Sequence, residues 1–177
     1  MNIMSVLEVI ETRRSVRKYK PEEIPDGDLK KILTAAQLAP SAGNKQPWRF
    51  VVVRDPERKR ALAEAARNQM WLADAGVIVA ALAMDPNDPE VYAKWSERDV
   101  MTAVEHMVLA SWSMGYGTCW IGAFYQDKVK ELLDIPEEMT VINLLPIGVP
   151  DQTPEARARK PLDELFHAEK YGGALDL

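Results

Sequence analysis

The chain has 177 residues, 47% of them hydrophobic and 28% charged, a composition that suits one globular domain with a full core and excludes a disordered or collagen-like chain. Lys plus Arg number 22 against 27 Asp plus Glu, a formal net charge of −5, so the broad basic surface that nucleic-acid binding requires is not expected. A single cysteine, Cys119, rules out an intrachain disulfide, and the two histidines, His106 and His167, lie too far apart for a metal-ligand spacing.

The N-terminal stretch carries acidic residues early and lacks the basic start and apolar run of a secretory signal. Residues 107–126 contain no charge, but their glycines and hydroxyls divide them into a buried helix followed by a buried strand rather than a membrane span. The expectation is a cytoplasmic protein with no membrane partner, built as one domain over 1–177.

Ser5 and Glu8 form a capping box that opens a first helix, with Val6, Val9 and Ile10 as its apolar stripe and an end near Arg13. Ser15 to Tyr19 reads as extended. Asp26 or its neighbours cap a second helix with Leu29, Ile32, Leu33 and Ala36 at helical spacing, closed by Pro40. A turn-rich loop, Pro40 to Pro47, leads into a strand at Trp48 to Val53. A surface helix over 57–67, a buried strand over 77–83 and a loop at Asp85 to Pro89 follow. The longest helix is placed at 96–114, with Val100, Val104, Met107, Val108 and Ser111 on one face. Thr118 to Ile121 and Thr140 to Ile147 read as strands, 126–133 and 162–167 as short helices. Helices and strands around one sheet give an α+β or a mixed layout. The three-glycine dinucleotide fingerprint and the Walker phosphate loop are both absent.

Charge is segregated. Residues 13–20 carry five cations and no acid, and in an extended segment Ser15 and Arg17 share one side. Guanidinium groups beside a hydroxyl suit a phosphate monoester, each charge-assisted bond being worth on the order of 1.5–3 kcal/mol. Read alone, the same cations offset a helix dipole for roughly 0.3–1 kcal/mol each. A second cluster, Arg157, Arg159 and Lys160, lies in the tail, and the two together favour one shared anionic ligand. Ser41, Asn44 and Gln46 place a hydroxyl and two amides in the loop before Trp48, as ligand contacts or as ordinary turn chemistry. Gly122, after a buried strand, permits close approach of a flat ligand to backbone N–H groups. Cys119 reads as a small core residue rather than a nucleophile, and His106 as a partly exposed helix residue.

Four segments in order, Arg13-Arg14-Ser15-Val16-Arg17-Lys18-Tyr19, Ala39 to Trp48, Gly115 to Phe124 and Pro146-Ile147-Gly148-Val149-Pro150, followed by Arg159-Lys160-Pro161-Leu162, resemble the nitroreductase family of FMN-dependent oxidoreductases. The resemblance implies an α+β fold with a mixed, mostly antiparallel central sheet flanked by helices, in an intertwined homodimer. It implies that Arg13, Arg14, Ser15 and Arg17 hold the flavin, with Arg17 toward N1 and the C2 carbonyl, where a cation raises the reduction potential. By the same resemblance, Pro40, Ser41, Ala42 and Asn44 reach the flavin of the other subunit, and Asn68 or Gln69 meets the pyrimidine edge. The backbone at Gly122 faces N5, and Arg157 and Arg159 bind the phosphate. No side chain serves as a nucleophile, since the cofactor carries the chemistry. The activity implied is ping-pong transfer of hydride from NAD(P)H through FMN to a nitroaromatic, quinone or similar small acceptor. Reductive dehalogenation, flavin cleavage and flavin binding without turnover are the competing expectations. Tyr92 and Trp95, in the short region 85–99, are candidates for the substrate wall.

Overall fold

The computed structural model describes residues 4–84 and 89–175, and the side chains of 89–94 lie outside that description. Four strands, β1 (Trp48–Val53), β2 (Val77–Ala83), β3 (Gly117–Thr118) and β4 (Thr140–Gly148), form one sheet in the order β1-β2-β4-β3. All three pairings are antiparallel. The expected mixed character reduces to one parallel bridge, Ser15 with Thr118. β2 is buried along its whole length, which explains why it reads as an unbroken apolar run: it is covered on both faces.

Val77, Val79 and Ala81 join the cluster formed with α2 (Asp26–Gln37) and α4 (Pro89–Ser113), through Ile32, Val100, Val104 and Met107. Ile78, Ala80 and Leu82 join the opposite cluster with α3 (Pro56–Ala65) and α5 (Gln126–Leu132), through Leu62 and Val129. The alternation is the period-two pleat at work.

Several elements depart from expectation. The capping box on α1 (Val6–Thr12) is present, with Glu8 N–H donating to Ser5 Oγ and Ser5 N–H to the Glu8 carboxylate. Its apolar stripe, however, is not a core stripe: Val9 is buried, whereas Val6 is 72%, Leu7 70% and Ile10 52% exposed. Asp26 is the first helical residue of α2 rather than its cap, and Pro25 stands at the cap position without a side-chain bond. α3 ends at Ala65 because Arg67 and Asn68 both adopt left-handed φ, and a 3-10 turn at Met70–Asp74 follows. α4 begins at Pro89, well before Ser96, with proline at the first helical position, where its missing N–H costs nothing. Most of the loop expected at 85–89 lies outside the described residues. The third strand is only two residues long, and Ile121 pairs separately with Leu144. The tail helix, α6, is confined to Leu162–Leu165.

Candidate functional site

The N-terminal cationic segment leaves α1 and is stitched to β3: Ser15 bridges Thr118, and Val16 N–H donates to Thr118 O at 2.9 Å. Val16 is fully buried against Gly117, where any Cβ would stand 2.7 Å from the valine side chain, so glycine there is a packing requirement. With Val16 inward, its neighbours Ser15 and Arg17 face the other way, as the alternation predicts.

The C-terminal segment is then laid along the same stretch. Lys20 N–H donates to Val149 O and Asp151 N–H to Lys18 O, and Tyr19 bridges Pro150. Lys18 Nζ and the Asp151 carboxylate pair at 2.7 Å. The Gln152 amide oxygen accepts from Arg17 N–H at 2.8 Å and Lys18 N–H at 3.2 Å. The tail thereby returns to its own beginning. Arg13, Arg14, Ser15, Arg17, Arg157 and Arg159 line one cavity of about 150 Å³, together with Pro154 and Glu155. Five guanidinium groups therefore face a single carboxylate, and among the described residues none of the five makes a salt bridge.

The arginines are not equivalent. Arg14 Nη1 donates to Glu11 O and Arg13 O, each at 2.8 Å, so it closes the C-terminal end of α1 as well as lining the cavity. Arg159 Nη1 donates to Arg157 O at 3.1 Å, which stiffens the tail. Beneath the cluster lies Cys119. Burial pushes its thiol upward, and the nearby Arg17 guanidinium, Ser15 hydroxyl and Arg13 guanidinium offset this only in part. It is an inert core thiol.

Gly122 presents the opposite case from Gly117. A Cβ there would meet nothing within 4 Å, and its φ is not in the left-handed region. Nothing within this chain requires glycine at 122. The residue is exposed, and among the described residues its N–H has no acceptor, while the carbonyl of the same peptide unit, Ile121 O, accepts from Leu144 N–H at 3.0 Å. A bare amide edge beside an uncrowded α-carbon suits the close approach of a flat heterocycle.

Of the two amides expected near the pyrimidine edge, Gln69 reaches this segment: its Nε2 donates to Ala66 O at 2.9 Å and approaches Ala123 O at 3.4 Å. Asn68 instead lines a broad groove between α3 and α5 with Glu64, Tyr125 and Lys128. The loop of Pro40, Ser41, Ala42 and Asn44 does not line the arginine cavity. Its polar groups serve the turn: Gln46 N–H donates to Ser41 Oγ, Gln46 Nε2 to Asn44 Oδ1, and Ala42 N–H to the Asp99 carboxylate on α4. Gly43, Asn44 and Gln46 all have positive φ, which holds the loop outward as an exposed knuckle. His106 Nδ1 contacts Ala35 O at 3.1 Å, a packing role. Trp95 is exposed with the Arg98 guanidinium over its ring at 4.8 Å, and the Tyr92 side chain is outside the described residues.

Two contributors escaped the sequence reading. Gln152 carries no local signal, because its partners are backbone N–H groups far away in the chain. Glu155 sits within a tail that reads as basic, and only the folded tail shows it facing the cavity.

Among the described residues no helix is long and apolar enough to cross a membrane, and no group of His, Cys, Asp and Glu is placed to hold a metal. Comparison with known proteins addresses the family of the chain. The nitroreductase family profile matches residues 10–77 and 67–149. A protein of Archaeoglobus fulgidus, provisionally named NADH dehydrogenase/NAD(P)H nitroreductase, is 38% identical over 81% of this chain and 84% of its own. The structure of B. megaterium NfrA2 superposes with a TM-score of 0.89 at 29% identity, covering 97% of this chain and 76% of that one. The NADPH:FMN oxidoreductase from Vibrio harveyi, solved with NAD+, gives 0.87 at 29% identity over 94% and 77%. With the profile spanning both the arginine segment and the Gly122 strand, the chain belongs to the nitroreductase family.

Proposed function

We propose that this NAD(P)H-dependent oxidoreductase holds FMN with its phosphate in the arginine cavity and its ring against the Gly122 amide, and passes electrons ping-pong to a nitroaromatic, quinone or similar small acceptor. The observation that carries the reading is the convergence of Arg13, Arg17, Arg157 and Arg159 on one small cavity in a chain of net charge −5. That cavity is of phosphate size, and no cluster of side-chain nucleophiles accompanies it.

The residues fit such a ligand. Ser15 supplies a hydroxyl among the guanidiniums, and Gly122 supplies an N–H without an acceptor among the described residues, next to an uncrowded α-carbon. Gly122 is four residues beyond Thr118, so the chain holds it within about 14 Å of the arginine segment. Bound FMN would supply the two-electron chemistry, since no side chain here can accept electrons. What the chain contributes is position and charge. The arginines neutralise the phosphate, the Gly122 edge orients the ring, and Gln69 places an amide beside the same segment.

The reading includes a homodimer. The exposed faces of Val6, Leu7 and Ile10 on α1 and of Leu162, Leu165 and Phe166 in the tail are apolar surface of the kind that a partner covers. The exposed loop Pro40–Asn44 does not line its own chain's cavity, which leaves it open to contribute to a second copy's site. The test is direct. Purified protein should be yellow, release FMN on denaturation, and consume NAD(P)H with a nitroaromatic or quinone. A preparation that stays colourless with added FMN would refute it.

A further inference from the structure

We infer that Asn143 is a positioning residue that sets the direction and donor strength of the Gly122 N–H. The inference rests on the proposal that this N–H faces the flavin ring.

Asn143 stands in β4 among Val141, Leu144, Leu145 and Ile147, all buried and apolar, and is itself only 2% exposed. Its Nδ2 donates to Ile121 O at 3.3 Å, while its Oδ1 is buried with no partner. An orphaned buried acceptor costs roughly 1–3 kcal/mol, so packing alone would favour an apolar residue at this position. Strand pairing does not explain the amide either. Ile121 and Leu144 already exchange both backbone bonds, at 3.1 and 3.0 Å. Asn143 adds a second donor to a carbonyl that has two lone pairs, and both are then used.

That carbonyl belongs to the peptide unit whose other end is the Gly122 N–H. The unit is planar and trans, so fixing the C=O direction fixes the N–H direction on the opposite side. Glycine following this peptide gives it a soft φ, and restraint has to come from the carbonyl end. Two donors on one carbonyl also polarise the amide, which strengthens its N–H as a donor.

The local fold is arranged to deliver this amide. In the β2–β4 register Leu82 pairs with Val141 but Ala81 with Asn143, leaving Ile142 as an extra residue. Without that bulge Asn143 would share the face of Val141. With it, Asn143 lies opposite Ala81, a residue of the α2–α4 cluster, whereas Val141 belongs to the α3–α5 cluster. Bulges beside active sites re-aim side chains in this way.

The test compares wild type with Asn143→Leu, and with Asn143→Ser as a second variant should leucine prevent folding. In the apoprotein, the Gly122 amide proton resonance should move upfield and its exchange with solvent should change, while thermal stability in N143L is retained or increased. In FMN-loaded protein the ratio of reduced to oxidised flavin affinity should rise about tenfold, a shift of roughly +30 mV in the two-electron potential, because a donor at N5 favours the oxidised ring, whose N5 carries a free lone pair. An unmoved Gly122 amide in a folded variant overturns the inference, as does a loss of stability with an unchanged amide and potential. Failure of wild type to bind FMN would overturn the proposed function, and the apoprotein resonance would still decide the role of Asn143.

Discussion

Lys18 and Asp151 meet at 2.7 Å across the seam that joins the two ends of the chain, one residue from Arg17 and one from Gln152. Each shifts the other: Lys18 holds the Asp151 carboxyl below its ordinary value, and Asp151 holds the lysine above its own. The carboxylate contribution is present above the ordinary Asp range and lost as pH falls through the lowered native value. The lysine contribution is present below the ordinary Lys range and lost as pH rises through the raised one. Both groups are solvent-exposed, so Asp151→Asn should leave the melting temperature nearly unchanged. It should instead weaken FMN binding modestly, because the backbone bonds and Gln152 still hold the seam. Titration of the apoprotein with FMN, at low and moderate salt, measures this.

Arg17→Ala and Arg157→Ala should each raise the FMN dissociation constant roughly 10- to 150-fold, the equivalent of one charge-assisted hydrogen bond. Arg14→Ala should behave differently. Its guanidinium is already committed to the backbone at the end of α1, so the main effect is a stability loss of roughly 0.3–1 kcal/mol. Paired flavin titrations and urea unfolding distinguish the two patterns.

Two glycines on one segment should respond in opposite ways to alanine. At Gly117 the new methyl would collide with Val16, a fully buried side chain, and should cost about 1–3 kcal/mol. At Gly122 it enters open space, so stability should stay within about 0.5 kcal/mol. If the flavin ring lies there, Gly122→Ala should nevertheless impair FMN binding. Denaturant melts of both apoproteins, followed by flavin titration of Gly122→Ala, check each half.

Cys119 should resist thiol reagents in the native state at neutral pH, because burial holds its thiol protonated. Full labelling should appear only on unfolding in urea. A native value raised above the unfolded one also means that folding stability falls as pH rises past the ordinary thiol range, and Cys119→Ala should remove that component. Labelling with a chromogenic disulfide and alkaline denaturation curves measure both.

Leu7→Glu or Ile10→Asp alters only exposed side chains of α1 and should leave the fold of the monomer intact. If a second copy covers this face, either change should shift the protein from dimer to monomer and lower flavin retention with it. Light scattering coupled to size-exclusion chromatography reads the first outcome, and absorbance of the eluted peak reads the second.

Local chemistry was the most legible part of this chain. Ser5 and Glu8 announce the start of α1, and the branched run at Val51, Val52 and Val53 and the apolar run at 77–83 mark strands whose limits the structure reproduces. The arginines at both ends were legible as charge, and Gly122 as a gap. Periodicity, by contrast, marks an apolar face without saying what covers it, so Val6 and Ile10 read as core and are exposed. Sequence could not separate Asn68 from Gln69, whose side chains part at the left-handed turn of Arg67 and Asn68, Gln69 toward Ala123 and Asn68 into the groove between α3 and α5. Asn143 looked like any residue of a strand, because the bulge at Ile142 exists only once β2 lies alongside.

The sheet is complete at Gly148, whereas two of the five cavity arginines come after it. If the arginine cavity holds the flavin phosphate as proposed, the sheet and the means of retaining the cofactor lie in different parts of the chain. A protease nick between Gln152 and Pro161 should thus yield a species with native circular dichroism that sheds its chromophore on gel filtration. On the proposed function, colour rather than helicity would then be the sensitive measure of an intact preparation.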